Sequence, residues 1–203
     1  MLATALELFS RKGISVGIDE VTRTAGRTCD TLYRVFGNKT GLVVATLSRY
    51  GDQLPWLEFL RRAEADRRRP ADPGAQATWA RDKLYAVMQR VADWGFQQGA
   101  HGCYLLAAAA ELRGNHEPAL ADVDREAALE VIRPYQQEIR KLLAGLARAA
   151  GAADPELLAA DLHLEIVGIL TMSTVDLSPS RAAARRVAQR AAERALAFHG
   201  IGG

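Results

Sequence analysis

No stretch of this chain sustains an alternation of apolar and polar residues, and that absence leaves helices as the regular structure it can build. Alanine, leucine, arginine and glutamate dominate, all of them good helix formers. With 203 residues, 49% of them hydrophobic, there is material for a real core in one large domain or two small ones.

Punctuation divides the chain. Leu2, Ala5, Leu6 and Phe9 follow helical spacing until Gly13 stops them. Ile18, Val21 and Ala25 mark a second, short helix, with Gly17 as its N-cap and Gly26 at its end. Thr28 caps a third helix over 29–35, whose Leu32 and Phe36 face inward. Asn38 caps a fourth, with Leu42, Ala45, Leu47 and Tyr50 as packing residues, until Pro55 kinks or ends it.

The run "RRRPADPG" over 67–74 reads as a linker. A helix with Leu84, Val87, Met88 and Val91 on one stripe follows and ends near Gly95, with "GFQQGAHG" as a loop. A short alanine-rich helix is expected over 103–112, then a long one from about 118 to 150, kinked at Pro134. Asp154-Pro155 and Ser178-Pro179 each set a capping side chain before a proline at the first helical position.

The segment "AGRTCDTLYRVFGNKTGL", 25–42, crowds hydroxyl, aromatic and basic residues onto two short helices joined by a glycine turn. The first fifty residues carry seven Lys or Arg against four acids, while the remainder is close to neutral. Such asymmetry points toward nucleic acid. Two short helices about a "GRT" turn fit a helix-turn-helix, whose second helix enters the major groove. Thr28, Thr31 and Tyr33 offer hydroxyls to phosphate, and Arg34 can neutralise a phosphate or read guanine through two donors. Lys39 stands at a helix start, where the dipole also favours phosphate. A three-helix packing unit with solvated charges is the plain alternative.

"ALELFSRKG", "IDEVTRTAG" and "TLYRVFGNKTGL" together resemble the N-terminal domain of the TetR family of transcriptional regulators, in order and with matching gaps over 3–47. The resemblance implies an all-helical homodimer of about nine helices. A three-helix DNA-binding domain over 1–47 would precede an effector-binding and dimerisation domain over 48–203. Double-stranded operator DNA and an unknown small-molecule effector are the implied partners, and repression relieved by that effector is the implied activity. Arg27, Thr28, Cys29, Asp30, Thr31, Tyr33, Arg34 and Lys39 are the expected DNA-binding set, with Leu32 and Phe36 holding the recognition helix. The chain departs from the family at Arg27 (often valine), Cys29 (often lysine), Asp30 (often glycine or another small residue) and Val35 (often histidine).

"HGCYLLAAAAEL" resembles a Gly-Cys-x-x-x-Asn-Ala-Ala-x-Glu-Leu segment of one branch of the same family, with Ala107 at the asparagine position. A pocket there would be mainly apolar with a few polar anchors. Met88, Val91, Trp94, Tyr104, Tyr135, Ile139, His163, Val167 and Met172 are its expected lining, with ordinary core as the alternative for each. The helix over 155–175 is apolar on nearly every side, which predicts burial on both faces. The expected dimer interface is Leu158, Leu162, Ile166, Ile169, Val187, Ala191, Ala195 and Phe198.

Cys29 and Cys103 lack metal-ligand spacing and suggest a reduced, cytoplasmic protein. The N-terminus has no signal pattern, and "LHLEIVGILTMSTV" is short for a membrane span and carries His163 and Glu165. No catalytic motif, metal or cofactor is expected, and His116-Glu117 is an isolated pair. The rival to a regulator is a helical interaction protein that keeps the fold with weakened or lost DNA binding, which Cys29 and Asp30 favour.

Overall fold

The computed structural model describes residues 1–66, 69–98, 101–114, 120–121, 123–172 and 180–201. Among these the regular structure is helical throughout, in ten helices. They are α1 (Leu2–Lys12), α2 (Ile18–Thr24), α3 (Cys29–Phe36), α4 (Lys39–Asp52), α5 (Pro55–Glu64), α6 (Pro73–Gln98), α7 (Tyr104–Arg113), α8 (Arg125–Ala149), α9 (Pro155–Met172) and α10 (Arg181–Phe198).

The expected count of about nine falls one short because Pro55 does more than end α4. It occupies the first position of a new helix, where a missing N–H costs nothing. The expected loop over 95–102 is also corrected, since α6 stays helical to Gln98. Pro134 lies inside α8 and does not divide it. The cap of α10 is Ser180, whose hydroxyl accepts from Ala183 N–H; Ser178 and Pro179 lie outside the described residues. The same holds for Arg67 and Arg68 of the linker, for His116, Glu117 and Pro118, and for the stretch beyond Met172.

Two compact units form. One contains Met1–Gln53 with Cys103–Tyr135, the other Leu54–Gly102 with Gln136–Gly203. The division differs from the expected boundary after residue 47, because side chains of 103–135 are bonded into the first helices. Glu111 Oε2 accepts from Ile14 N–H at 2.9 Å, in the turn after α1. The Tyr104 hydroxyl meets that of Thr46 at 2.9 Å, both buried. The Tyr135 hydroxyl lies 2.9 Å from Asp52 Oδ1 and 3.1 Å from the Ser48 carbonyl, while its ring sits where a side chain on Gly51 would project, 2.4 Å from the ideal Cβ. A side chain larger than hydrogen at 51 would expel that ring.

The second unit is a helical bundle with α6 at its centre, packed against α5, α9 and α10. Its core is aliphatic: Leu57 and Leu60 of α5, Leu84, Val87 and Met88 of α6, Leu158, Leu162 and Ile166 of α9, and Leu196 of α10. Arg61 of α5 grips Glu138 of α8 through two bonds, 2.7 and 2.8 Å, which lowers the Glu138 carboxyl from its ordinary range. Arg181 and Arg185 converge on Asp93, and their hydrogen bonds lower its carboxyl further.

Candidate nucleic-acid interface

The first unit holds α3 by three devices. Thr28 Oγ1 accepts from Thr31 N–H at 3.3 Å and closes the helix start. Leu32 is fully buried and pins the helix to its neighbours, with α3 packed on both α2 and α4. Gly26 turns the chain with φ 59, a conformation L residues rarely adopt. The fourth helix then begins under Asn38, whose Oδ1 accepts from Gly41 N–H at 2.9 Å. A Cβ on Gly41 would lie 2.0 Å from the carbonyl oxygen of Phe36, so α3 ends against α4 at backbone contact distance.

What α3 leaves outward is polar and cationic. Tyr33 is 46% exposed, and Arg34, Asp30, Arg27 and Thr28 are exposed beside it. Thr31 is half-buried, its hydroxyl 3.0 Å from that of Thr28. Val35 is also exposed, so one aliphatic group joins the face and can meet a thymine methyl. This surface offers donors for phosphate and base edges on a rigidly held helix of eight residues.

Two expected DNA-facing residues are placed otherwise. Lys39 is only 8% exposed, and its Nζ donates to the Ser15 carbonyl at 3.3 Å, bracing the turn between α1 and α2. An ammonium buried this far needs protein acceptors. Cys29 is half-buried at the first position of α3 and turns back on α2, its thiol donating to Asp19 Oδ1 at 3.4 Å and lying 3.8 Å from Thr22 Oγ1. Its contacts join two helices within the fold.

The expected effector residues separate by unit. Tyr104 and Tyr135 belong to the first; Met88, Val91, Trp94, Ile139, His163, Val167 and Met172 belong to the second. Each polar member named already has a protein partner. His163 accepts from Arg140 Nε at 3.1 Å on Nδ1, which leaves Nε2–H to donate to Gln136 Oε1 at 2.8 Å. Burial first, then the Arg140 charge, lowers its pKa to about 4, so it is neutral near pH 7. Burial raises the Tyr104 hydroxyl and the Cys103 thiol. Met88, Val91, Trp94 and Ile139 are buried, Val167 is half-buried and Met172 is exposed.

Sequence reasoning missed Trp56. Its side chain is buried and its Nε1 has no hydrogen-bond partner among the described residues. The signal was the Pro55-Trp56 pair, which puts an indole in the first turn of a helix that was not expected there.

The expected dimer residues fall into buried and exposed sets. Leu158, Leu162, Ile166 and Ile169 are buried within one chain, on the face that α6 and α10 cover. Ala191 and Ala195 are buried as well. The apolar residues left outside on α9 are Leu157, Leu164 and Met172, at spacings that with Gly168 form one stripe. Leu164 is 67% exposed; on α10, Val187 and Phe198 are exposed, Phe198 by 81%. Val187 also lines an open groove with Arg186, Gln189, Arg190 and Glu193.

Among the described residues no helix is long and apolar enough to cross a membrane, and no cluster of three His, Cys, Asp or Glu could hold a metal. No curated protein matches the sequence. Residues 1–46 match the family described as bacterial regulatory proteins, tetR family. A TetR-type transcriptional regulator of Streptomyces avermitilis superposes with TM-score 0.74 at 21% identity, over 99% of this chain and 96% of its own. A TetR-family regulator of Streptomyces coelicolor does so at 0.71 and 23%, over 98% and 93%. The protein SmeT, solved with triclosan, does so at 0.65 and 22%, over 100% and 92%. With the capped α2–α3 pair in the first unit and the helical second unit, this chain matches at residues 1–46 the N-terminal domain of the tetR family of bacterial regulatory proteins, and has along its length the fold of solved TetR-family transcriptional regulators.

Proposed function

We propose that this chain is a ligand-responsive transcriptional regulator, a repressor that binds a palindromic operator as a homodimer and leaves it when a small molecule binds the second unit. The carrying observation is α3: Leu32 buried beneath it, Thr28 capping it, and Tyr33 and Arg34 exposed on it. Thr28 and Tyr33 serve phosphate contacts, and Arg34 and Thr31 serve the groove. Asp30 is exposed on the same helix, so operator affinity depends on the remaining cations.

The pairing surface is the stripe of Leu157, Leu164, Gly168 and Met172 with Val187 and Phe198 beside it. Large apolar side chains at such exposure, aligned on two helices, favour a second copy of the same surface. A two-fold pair presents two α3 helices to successive major grooves, roughly 34–36 Å apart. Effector release then requires a ligand that prefers one subunit arrangement over the other. The complex of SmeT with triclosan supports a small-molecule effector by analogy. The reading gives the chain no catalytic role and places it in the cytoplasm.

Footprinting on the DNA upstream of its own gene tests this at two salt concentrations. The expected result is a palindromic footprint whose affinity falls steeply as salt rises. Absence of any footprint would move the chain to the helical interaction protein, a role for which Lys39 and Cys29 turned inward leave room.

A further inference from the structure

We infer that Asp30 is a specificity-determining residue of α3, one that accepts a hydrogen bond from the exocyclic amine of a cytosine in the major groove. The inference rests on the DNA-binding reading above and names a base that the operator contains.

The residues that open a recognition helix are those that reach base edges. In α3 these are Thr28, Cys29, Asp30 and Thr31, and all but Asp30 have side-chain partners within the fold. Thr28 caps the helix, and its hydroxyl lies 3.0 Å from that of Thr31. Cys29 turns back on Asp19 and Thr22. Asp30, the second residue of the helix, is exposed. By helical repeat it shares a face with Tyr33 and Arg34, three and four residues on, both of them exposed.

Its carboxylate stands apart from the other acids of α1–α3. Glu7 pairs with Arg11 at 3.4 Å, Glu20 pairs with Lys12 at 2.7 Å, and Asp19 takes the Cys29 thiol. The Asp30 side chain makes no ion pair or hydrogen bond with any described residue, although Arg27 and Arg34 are exposed about one turn before and after it.

An ionised carboxylate accepts hydrogen bonds and donates none. Covered by a duplex, it loses its water and needs a donor in return. The phosphates carry negative charge and repel it. Guanine shows the major groove two acceptors, O6 and N7, and thymine shows O4 beside a methyl group. Adenine shows an amine with the acceptor N7 next to it, which suits an amide better than a carboxylate. Cytosine shows its N4 amine with no acceptor beside it. It is the base whose groove edge answers an acceptor-only side chain. The same negative charge disfavours the other bases, so Asp30 selects by rejection as well as by contact.

The test selects DNA from a pool of random-sequence duplexes with the full chain, then measures affinity on single duplexes by fluorescence anisotropy. The expected result is a cytosine in each half-site at which any other base weakens binding about ten-fold. Asp30→Asn should move the preference at that one position to adenine, whose N6 and N7 match an amide. Asp30→Ala should abolish it, with the other positions read as before. A selected site that lacks such a cytosine, or whose cytosine preference survives both substitutions, overturns the inference alone. So does a rise in affinity of both variants that is equal for all sequences, which would set Asp30 against phosphate. Lower stability in denaturant with the sequence profile intact reduces Asp30 to a partner of the helix dipole and overturns it too. If the wild type enriches no sequence at all, the regulator reading falls and this inference falls with it.

Discussion

Helices α3 and α9 solve opposite problems. The eight residues of α3 include one fully buried side chain, Leu32, so the helix owes its position to a cap, a glycine contact and its neighbours. The eighteen residues of α9 carry more hydrocarbon than one chain covers: Leu158, Leu162 and Ile166 are buried, yet Leu157 and Leu164 remain outside. A helix with too little core displays polar groups in fixed positions, which suits a polar duplex. A helix with too much core displays apolar groups, which suits another protein surface. The difference teaches that exposure alone does not identify a site; the chemistry of what is exposed does.

The contrast can be broken most forcefully at α9. Leu157→Glu with Leu164→Glu puts charge on the apolar stripe, and the expected outcome is a monomer by light scattering with operator affinity reduced roughly a thousand-fold, because the second half-site no longer adds. A dimer that persists places the pairing surface elsewhere. On α3, Leu32→Ala removes the single anchor and should cost about 2–5 kcal/mol in denaturant unfolding. Tyr33→Ala with Arg34→Ala should instead leave stability unchanged and weaken the operator complex by on the order of a hundred-fold. If the double variant lowers stability as Leu32→Ala does, the face is structural.

Two smaller effects sharpen the second unit. His163 has its pKa lowered to about 4 from an ordinary 6.5. As pH falls through that interval the unfolded chain takes up the proton first, so the folded state loses stability. Between pH 7 and pH 5 the expected loss is about 1–2 kcal/mol, and His163→Gln should flatten it in chemical denaturation. Asp93 is also depressed, by its hydrogen bonds to Arg181 and Arg185. Its contribution is present above the ordinary carboxylate pKa and fades in acid. Asp93→Asn should cost about 1 kcal/mol at neutral pH, because both arginines are half exposed.

Much of the first unit was legible in the sequence because its signals are local. Gly26, Thr28 and Asn38 each act within a few residues, and the caps stand where their side chains require. Leu32 was legible from helical spacing. The inward contacts of Lys39 and Cys29 were not legible, because what they touch lies elsewhere in the chain: Ser15 for the lysine, Asp19 and Thr22 for the thiol. The Glu111 of the alanine-rich segment shows the same limit, since its partner Ile14 lies 97 residues away. On α9, composition revealed the apolar excess but not which part the chain itself would cover. Helix α5 and its Trp56 were not legible because a proline that kinks or ends one helix can equally open the next.

The close seat of Gly41 under Phe36 has a consequence for how such a protein acquires a new target. With the end of α3 resting directly on the backbone of α4, a roll or slide of α3 has to carry the start of α4 with it. If α3 reads DNA as proposed, a lineage that needs a different DNA word changes the letters at Tyr33, Arg34 and their neighbours more readily than it tilts the page on which they are written.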